Sequence, residues 1–198
     1  LHDVQYTIMA DRIVAGTYMT AVAAAGGQAV LKGVRVRHVQ SVADVLAESG
    51  CGLIIYKESI KIIAPSMLLA VKEIETEPYP GFPTDLQSVF LAAEASGTGE
   101  SQIRETVYEA RFEAAVRLAS FGADVSVHGD TAIIKGRYPL LPGVVETPDL
   151  RGGAALLVAA LSAGGLSVVS DRGHLKRGYE DIVRDLRILG ADIEENIL

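Results

Sequence analysis

The chain has 198 residues, 49% of them hydrophobic and 22% charged, with a formal net charge of -7. That suffices for one domain with a proper core, or two small ones. The acidic balance argues against nucleic acid as a partner while leaving room for an anionic small molecule held by a few arginines. A single cysteine, Cys51, excludes an internal disulfide and a cysteine-based zinc site.

No apolar stretch reaches the roughly 20 residues of a membrane-spanning helix, so no membrane partner is expected. A reducing, cytoplasmic setting is the expectation. The chain opens without Met, directly before a strand-like run, and reads as a piece of a longer protein.

In chain order, VQYTIM (Val4 to Met9) predicts a strand and DRIVAGTYMTAVAAAGG, from Asp11, a helix with a Gly stop. A β-branched run follows, then Arg37, a second helix ending at Gly50, and the strands LIIY and IKIIA. The series then restarts. VKEIET predicts a strand, DLQSVFLAAEA from Asp85 a helix, and Arg111 precedes a second helix ending at Gly122. DVSVH and TAIIK then flank the hairpin signal Gly129-Asp130.

A third pass gives the strand GVVET, the helix DLRGGAALLVAALSAGG from Asp149, Arg177, and a helix ending at Gly190 that leads toward a strand. The three glycines follow their opening Asp by 39, 37 and 41 residues, and the three arginines by 26, 26 and 28. Three anchors kept in register make this a repeat. The predicted architecture is α/β: three β-α-β-α-β-β units at about 3–66, 69–137 and 143–198, the last lacking its final strand. The first helix of each unit is Ala-rich and apolar nearly all round, so the helices belong inside and the sheets outside.

The approach to the second unit's helix differs from the others. PYPGFPTDLQ, Pro78 to Gln87, places three prolines just before Asp85. Prolines fix φ and hold a loop in one shape, as a positioned catalytic carboxylate requires. Thr84 to Gln87 also matches a capping box. For Asp11 and Asp149 capping is favoured over chemistry, whereas Asp85 suits capping and chemistry equally. Arginines beside helix starts offer bidentate donors to an anion. Arg111, Arg151 and Arg177 are the candidates, with salt bridges to Glu109 or Glu180 as the competing reading. Cys51 stands where the other units have Ala and reads as a small core residue. His38, His128 and His174 lack ligand spacing, and there is no P-loop, dinucleotide glycine fingerprint, HExxH or GxSxG. No metal or cofactor is expected.

MADRIVAGTY, PYPGFPTDLQ, RETVYEARF, TPDLRGGAALLVAAL and HLKRGYEDI with DLRILGADI together resemble the C-terminal half of the UDP-N-acetylglucosamine 1-carboxyvinyltransferases, of the enolpyruvyl transferase family. The resemblance runs the length of the chain. It implies an inside-out α/β barrel domain and transfer of enolpyruvyl from phosphoenolpyruvate to the 3-hydroxyl of UDP-N-acetylglucosamine, a step of peptidoglycan biosynthesis. It implies that Asp85 contacts the sugar and serves as a base, that Arg177 and Arg151 face phosphoenolpyruvate, and that Val107, Tyr108 and Arg111 lie at the uridine pocket. The lid and a key lysine belong to the family's other domain, so the fragment alone is expected to be inactive. Where the family has Asn, this chain has Ala110; where it has Thr before DLR and Ala-Ser after it, this chain has Pro148 and Gly152-Gly153. Those two glycines are expected to loosen the helix start that carries Arg151. The alternatives are a non-catalytic UDP-sugar-binding paralogue and a relative of enolpyruvylshikimate-phosphate synthase.

Overall fold

A computed structural model describes residues 2–109 and 111–195. Its frame is three long helices, α1 (Arg12–Ala25), α3 (Thr84–Ala95) and α5 (Leu150–Ser162), packed against one another. Shorter helices α2 (Gln40–Glu48) and α4 (Glu113–Leu118) lie between strands in sequence, and α6 (Ile182–Ile188) comes after the strands. In α3 every residue from Leu86 to Ala95 is buried, so the helix lies at the centre of the core. Its neighbour makes room for that: Gly16 of α1 has no side chain, and a Cβ on it would collide with the Leu86 side chain, so the two helices meet closely there.

Three sheets flank the helices. The first orders β1 (Gln28–Lys32), β3 (Ser59–Ile63) and β2 (Gly52–Ile55), all antiparallel. The second orders β4 (Glu73–Glu75), β5 (Glu100–Arg104), β7 (Thr131–Lys135) and β6 (Asp124–His128). The third pairs β8 (Val144–Glu146) with β9 (Val168–Ser170). Period-two alternation gives each sheet one core face: Ile60 and Ile62 of β3 and Ala132 and Ile134 of β7 are fully buried. The β6–β7 hairpin turns at Gly129, whose φ of 64° is the left-handed conformation that the Gly-Asp signal predicts.

Two pairings are parallel, β4 with β5 and β8 with β9. A parallel pair needs a crossover, and α3 and α5 supply it. The starts of α3 and α5 and the loops leaving β5 and β9 therefore gather at one end of the molecule.

Two predicted strands are absent. Residues 4–9 form no strand, and Val4, Tyr6, Ile8 and Met9 stand in solvent. Their alternation is that of a strand, but a strand needs a ladder; β4 and β8 have β5 and β9, and residues 4–9 pair with nothing among the described residues. Nor does a strand follow Gly190 within residues 191–195. This segment pairs with no strand among the described residues, and Arg187 Nε donates to the Ile193 carbonyl at 2.6 Å. Residues 196–198 of the third repeat lie outside the described residues. Among the described residues no helix is long and apolar enough to cross a membrane.

One buried acid tests the core. Glu94, near the end of α3, accepts from the Val71 amide at 3.1 Å, and burial pushes its carboxyl up to about 7. A raised carboxyl gives stability that is complete below its unfolded value of 4.5 and is lost as pH rises through about 7. The loss should amount to roughly 3 kcal/mol. Glu94→Gln should flatten it, as urea unfolding at about pH 5 and about pH 8 would measure. An unchanged difference between the two would mean that Glu94 is ionised in the fold.

Candidate active site

The proline loop is tied down on several sides. The Gly81 amide donates to the Pro78 carbonyl at 2.9 Å and the Glu77 amide to the Phe82 carbonyl at 2.8 Å. Ser41 Oγ of α2 donates to the Gly81 carbonyl at 3.1 Å, and the Arg12 guanidinium sits 5.6 Å over the Tyr79 ring. Phe82 meets Phe90 edge to face with ring centroids 4.8 Å apart, which anchors the loop to the core. Pro83 then takes the cap position of α3 with φ -74°, the value its ring enforces.

With Pro83 as cap, the Thr84–Gln87 capping box does not form. Thr84 Oγ1 donates to Glu105 at 2.8 Å and accepts from Arg111 at 2.9 Å, and Gln87 is buried with its Nε2 unpaired. The three aspartates divide accordingly. Asp11 caps α1 through the amides of Ile13 and Val14, and Asp149 caps α5 through those of Arg151 and Gly152. Asp85 caps nothing. Its Oδ1 lies 2.9 Å from Arg111 Nη2 and its Oδ2 lies 2.9 Å from Arg151 Nη2. Burial alone would raise the Asp85 carboxyl; Arg151 and then Arg111 overcome that and hold it below its ordinary value. The cluster is thus a half-buried carboxylate, ionised and gripped by two guanidinium groups, one from the loop after β5 and one from the start of α5.

Arg111 does more than pair. Its Nη1 donates to Thr84 Oγ1, and its guanidinium lies 4.9 Å over the Tyr108 ring. The loop leaving β5 therefore presents Val107 and Tyr108, both well exposed, beside the Asp85 cluster. Glu105 holds that loop in place. Buried at 5% exposure, its carboxylate accepts from Thr76 Oγ1 (2.7 Å), Thr84 Oγ1 (2.8 Å) and the amides of Val107 and Tyr108 (both 2.9 Å). Sequence reasoning passed over Glu105; the available signal was an acid one residue beyond a strand, with Thr one residue beyond that strand's partner.

Arg177 is exposed on a single 3-10 turn, Leu175–Arg177, and joins no ion pair among the described residues. The turn itself packs on the start of α5: Leu175 lies against Gly153 and Gly178 against Leu150. Arg177 thus stands on a turn that packs on the helix start carrying Arg151, outside the cluster's ion pairs. Arg37, its counterpart in the sequence pattern, donates to His38 at 3.2 Å. The competing partner Glu180 is taken by Arg184 at 3.9 Å, not by Arg111. Cys51 is buried, and burial pushes its thiol up to about 11, so it is an inert core residue.

The Gly152-Gly153 start of α5 is packed, contrary to the expected loosening. A Cβ on Gly152 would stand 2.6 Å from Pro148 Cγ, and one on Gly153 3.1 Å from both Leu175 and Thr147. The Pro148 ring takes the space a larger residue at 152 would need, so the two departures compensate each other. Gly152→Ala alone should cost about 1–3 kcal/mol by overpacking. Pro148→Thr in the same chain should recover most of it, and additive effects in thermal unfolding would refute the coupling. Ala110 lies outside the described residues.

Residues 1–186 match the family model for EPSP synthase (3-phosphoshikimate 1-carboxyvinyltransferase). Over 193 residues, 98% of this chain, it is 41% identical to UDP-N-acetylglucosamine 1-carboxyvinyltransferase 2 and 44% identical to UDP-N-acetylglucosamine 1-carboxyvinyltransferase 3 of Caldanaerobacter subterraneus subsp. tengcongensis. The chain spans about half the length of these relatives, 46% of each. The crystal structure of the enolpyruvyl transferase NikO from Streptomyces tendae superposes with a TM-score of 0.85 at 28% identity, over 96% of this chain and 45% of that one. An EPSP synthase from Acinetobacter baumannii, at 19% identity and a TM-score of 0.76 over 96% of this chain and 48% of that one, shares the fold. The chain belongs to the EPSP synthase (3-phosphoshikimate 1-carboxyvinyltransferase) family.

Proposed function

We propose that this chain forms one wall of an interdomain site where enolpyruvyl passes from phosphoenolpyruvate to the 3-hydroxyl of UDP-N-acetylglucosamine, with release of phosphate. The supporting observation is the Asp85 carboxylate gripped by Arg111 and Arg151, with Val107 and Tyr108 beside it. In this reading Asp85 accepts the proton of the sugar hydroxyl as its oxygen attacks the enol carbon. Clamped by two cations, Asp85 is a weak base. An anionic substrate that draws the guanidinium groups toward its own oxygens loosens the clamp and strengthens the base at the moment of need. Arg151 and Arg177 then face phosphoenolpyruvate, and the charge developing on its phosphate falls between them. Tyr108 and Val107 supply an apolar shelf for the uracil ring. The family's other domain brings the lid and lysine, and with them the proton that the methylene carbon gains on addition and gives up again as phosphate leaves.

The same reading takes the three sheets as copies of one β-α-β-α-β-β unit around α1, α3 and α5, the inside-out arrangement expected from the repeat. It favours the UDP-sugar over shikimate 3-phosphate because relatives near 40% identity carry that name. The test is phosphate release from phosphoenolpyruvate by the full-length protein. Release is expected with UDP-N-acetylglucosamine and not with shikimate 3-phosphate, and none from the 198 residues alone. Release with the shikimate, or with neither acceptor, overturns the reading.

A further inference from the structure

The loop beside Asp85 and the turn carrying Arg177 are held by the same device. β4 and β5 pair in parallel register with Glu75 opposite Arg104, and β8 and β9 with Glu146 opposite Ser170. The next residue on each first strand is a threonine, Thr76 or Thr147, whose amide donates across to the Arg104 or Ser170 carbonyl at 2.9 Å. The next residue on each second strand is an acid, Glu105 or Asp171. In both copies the threonine hydroxyl donates to the acid at 2.7 Å.

Each acid then gathers the amides of the loop that follows it. Glu105 takes those of Val107 and Tyr108; Asp171 takes those of Gly173 (3.0 Å), His174 (3.1 Å) and Leu175 (3.3 Å). Although burial opposes it, the Thr147 hydroxyl and these amides keep the Asp171 carboxyl below its ordinary value. Thr76 and Thr147 are each only 3% exposed or less. The first unit has no such bracket: the residue after β1 is Gly33, and its arginine, Arg37, turns to His38. Among the described residues the bracket therefore occurs only where the loops carry the candidate substrate residues.

We infer that Thr76–Glu105 and Thr147–Asp171 are paired positioning brackets, each aiming one substrate loop: the first sets Val107, Tyr108 and Arg111 for the nucleotide sugar, the second sets Arg177 for the anionic co-substrate. Neither acid meets a reacting atom. Each acts by fixing the backbone from which the contacting side chains project, and misplacement by about 1 Å is enough to cost two orders of magnitude in rate. The assignment of one substrate to each bracket rests on the function proposed above; the brackets themselves do not.

The test uses the full-length protein with Glu105→Gln and Asp171→Asn. Glu105→Gln should raise KM for UDP-N-acetylglucosamine on the order of tenfold or more while KM for phosphoenolpyruvate stays within about twofold. Asp171→Asn should do the reverse. Amide hydrogen exchange should quicken at Val107 and Tyr108 in the first variant and at Gly173 and His174 in the second. Thr76→Val and Thr147→Val keep the carboxylates and should give weaker forms of the same two patterns. They decide the matter if an acid variant fails to fold. Equal shifts of both KM values in both variants, or unchanged exchange at the bracketed amides, would overturn the inference. If the wild-type protein turns over neither substrate, the function proposed above fails, and exchange at the two loops alone decides the brackets.

Discussion

Asp85→Asn in the full-length protein should cut turnover by about 10²–10⁴-fold, the usual worth of a positioned acid or base. Folding stability should change far less, within roughly 1–2 kcal/mol. The substitution keeps the shape of the side chain and one carbonyl oxygen, so one of the two arginines keeps its acceptor. What disappears is the charge and the capacity to take a proton. Capping is no part of the loss, because Pro83 occupies the cap and Asp85 receives no amide of its own helix. The pH dependence follows from the lowered carboxyl. A depressed carboxyl adds stability above its unfolded value and loses it as pH falls through the folded value. That acid-side loss should be absent from the Asn variant. Losses of turnover and stability in equal measure would instead mark the cluster as a structural ion pair alone. Steady-state kinetics and urea unfolding on the same preparations separate the outcomes.

Much of this arrangement was legible in the chain. The spacing of Asp, Arg and Gly across three passes located α1, α3 and α5 and the ends at Gly50, Gly122 and Gly190, because left-handed glycines and apolar helical periodicity are local signals. Asp85, Arg111 and Arg151 were each singled out, but nothing local says that residues 66 positions apart share a hydrogen bond. That depends on the parallel crossovers bringing the two helix starts to one end. The strand expected at VQYTIM failed for the same kind of reason. Alternation marks what a segment could do, and pairing decides whether it does. Thr84 misled in the other direction: T-x-x-Q fits a capping box by spacing, yet Pro83 already holds the cap and Glu105 claims the hydroxyl from 21 residues away. The compensation between Pro148 and Gly152 is three-dimensional and could not be read as more than two separate departures.

Arg111→Met with Arg151→Met should reverse the sign of the Asp85 shift. Burial pushes this carboxyl up and the two guanidinium groups push it down; remove both and only burial remains. In the double variant the carboxyl should titrate above its ordinary value. Its contribution to stability should then be present at low pH and lost as pH rises, opposite to the wild-type protein. Carbon-detected NMR of the carboxyl titration reads the shift directly, and each single variant should fall between the two extremes. Turnover should drop by on the order of 10²-fold or more in either single variant, because each arginine also faces substrate charge in the proposed site. The two losses should not add, since both act on one carboxylate. Arg111→Lys should rescue little. One guanidinium reaches Thr84 through Nη1 and Asp85 through Nη2 while lying flat over Tyr108, and a single ammonium cannot occupy all three positions. Arg151 reaches Asp85 through one nitrogen, so Arg151→Lys should retain more activity than Arg111→Lys. If the double variant titrates below the ordinary carboxylate value, some other donor holds Asp85, and the two-arginine clamp is not what governs its charge.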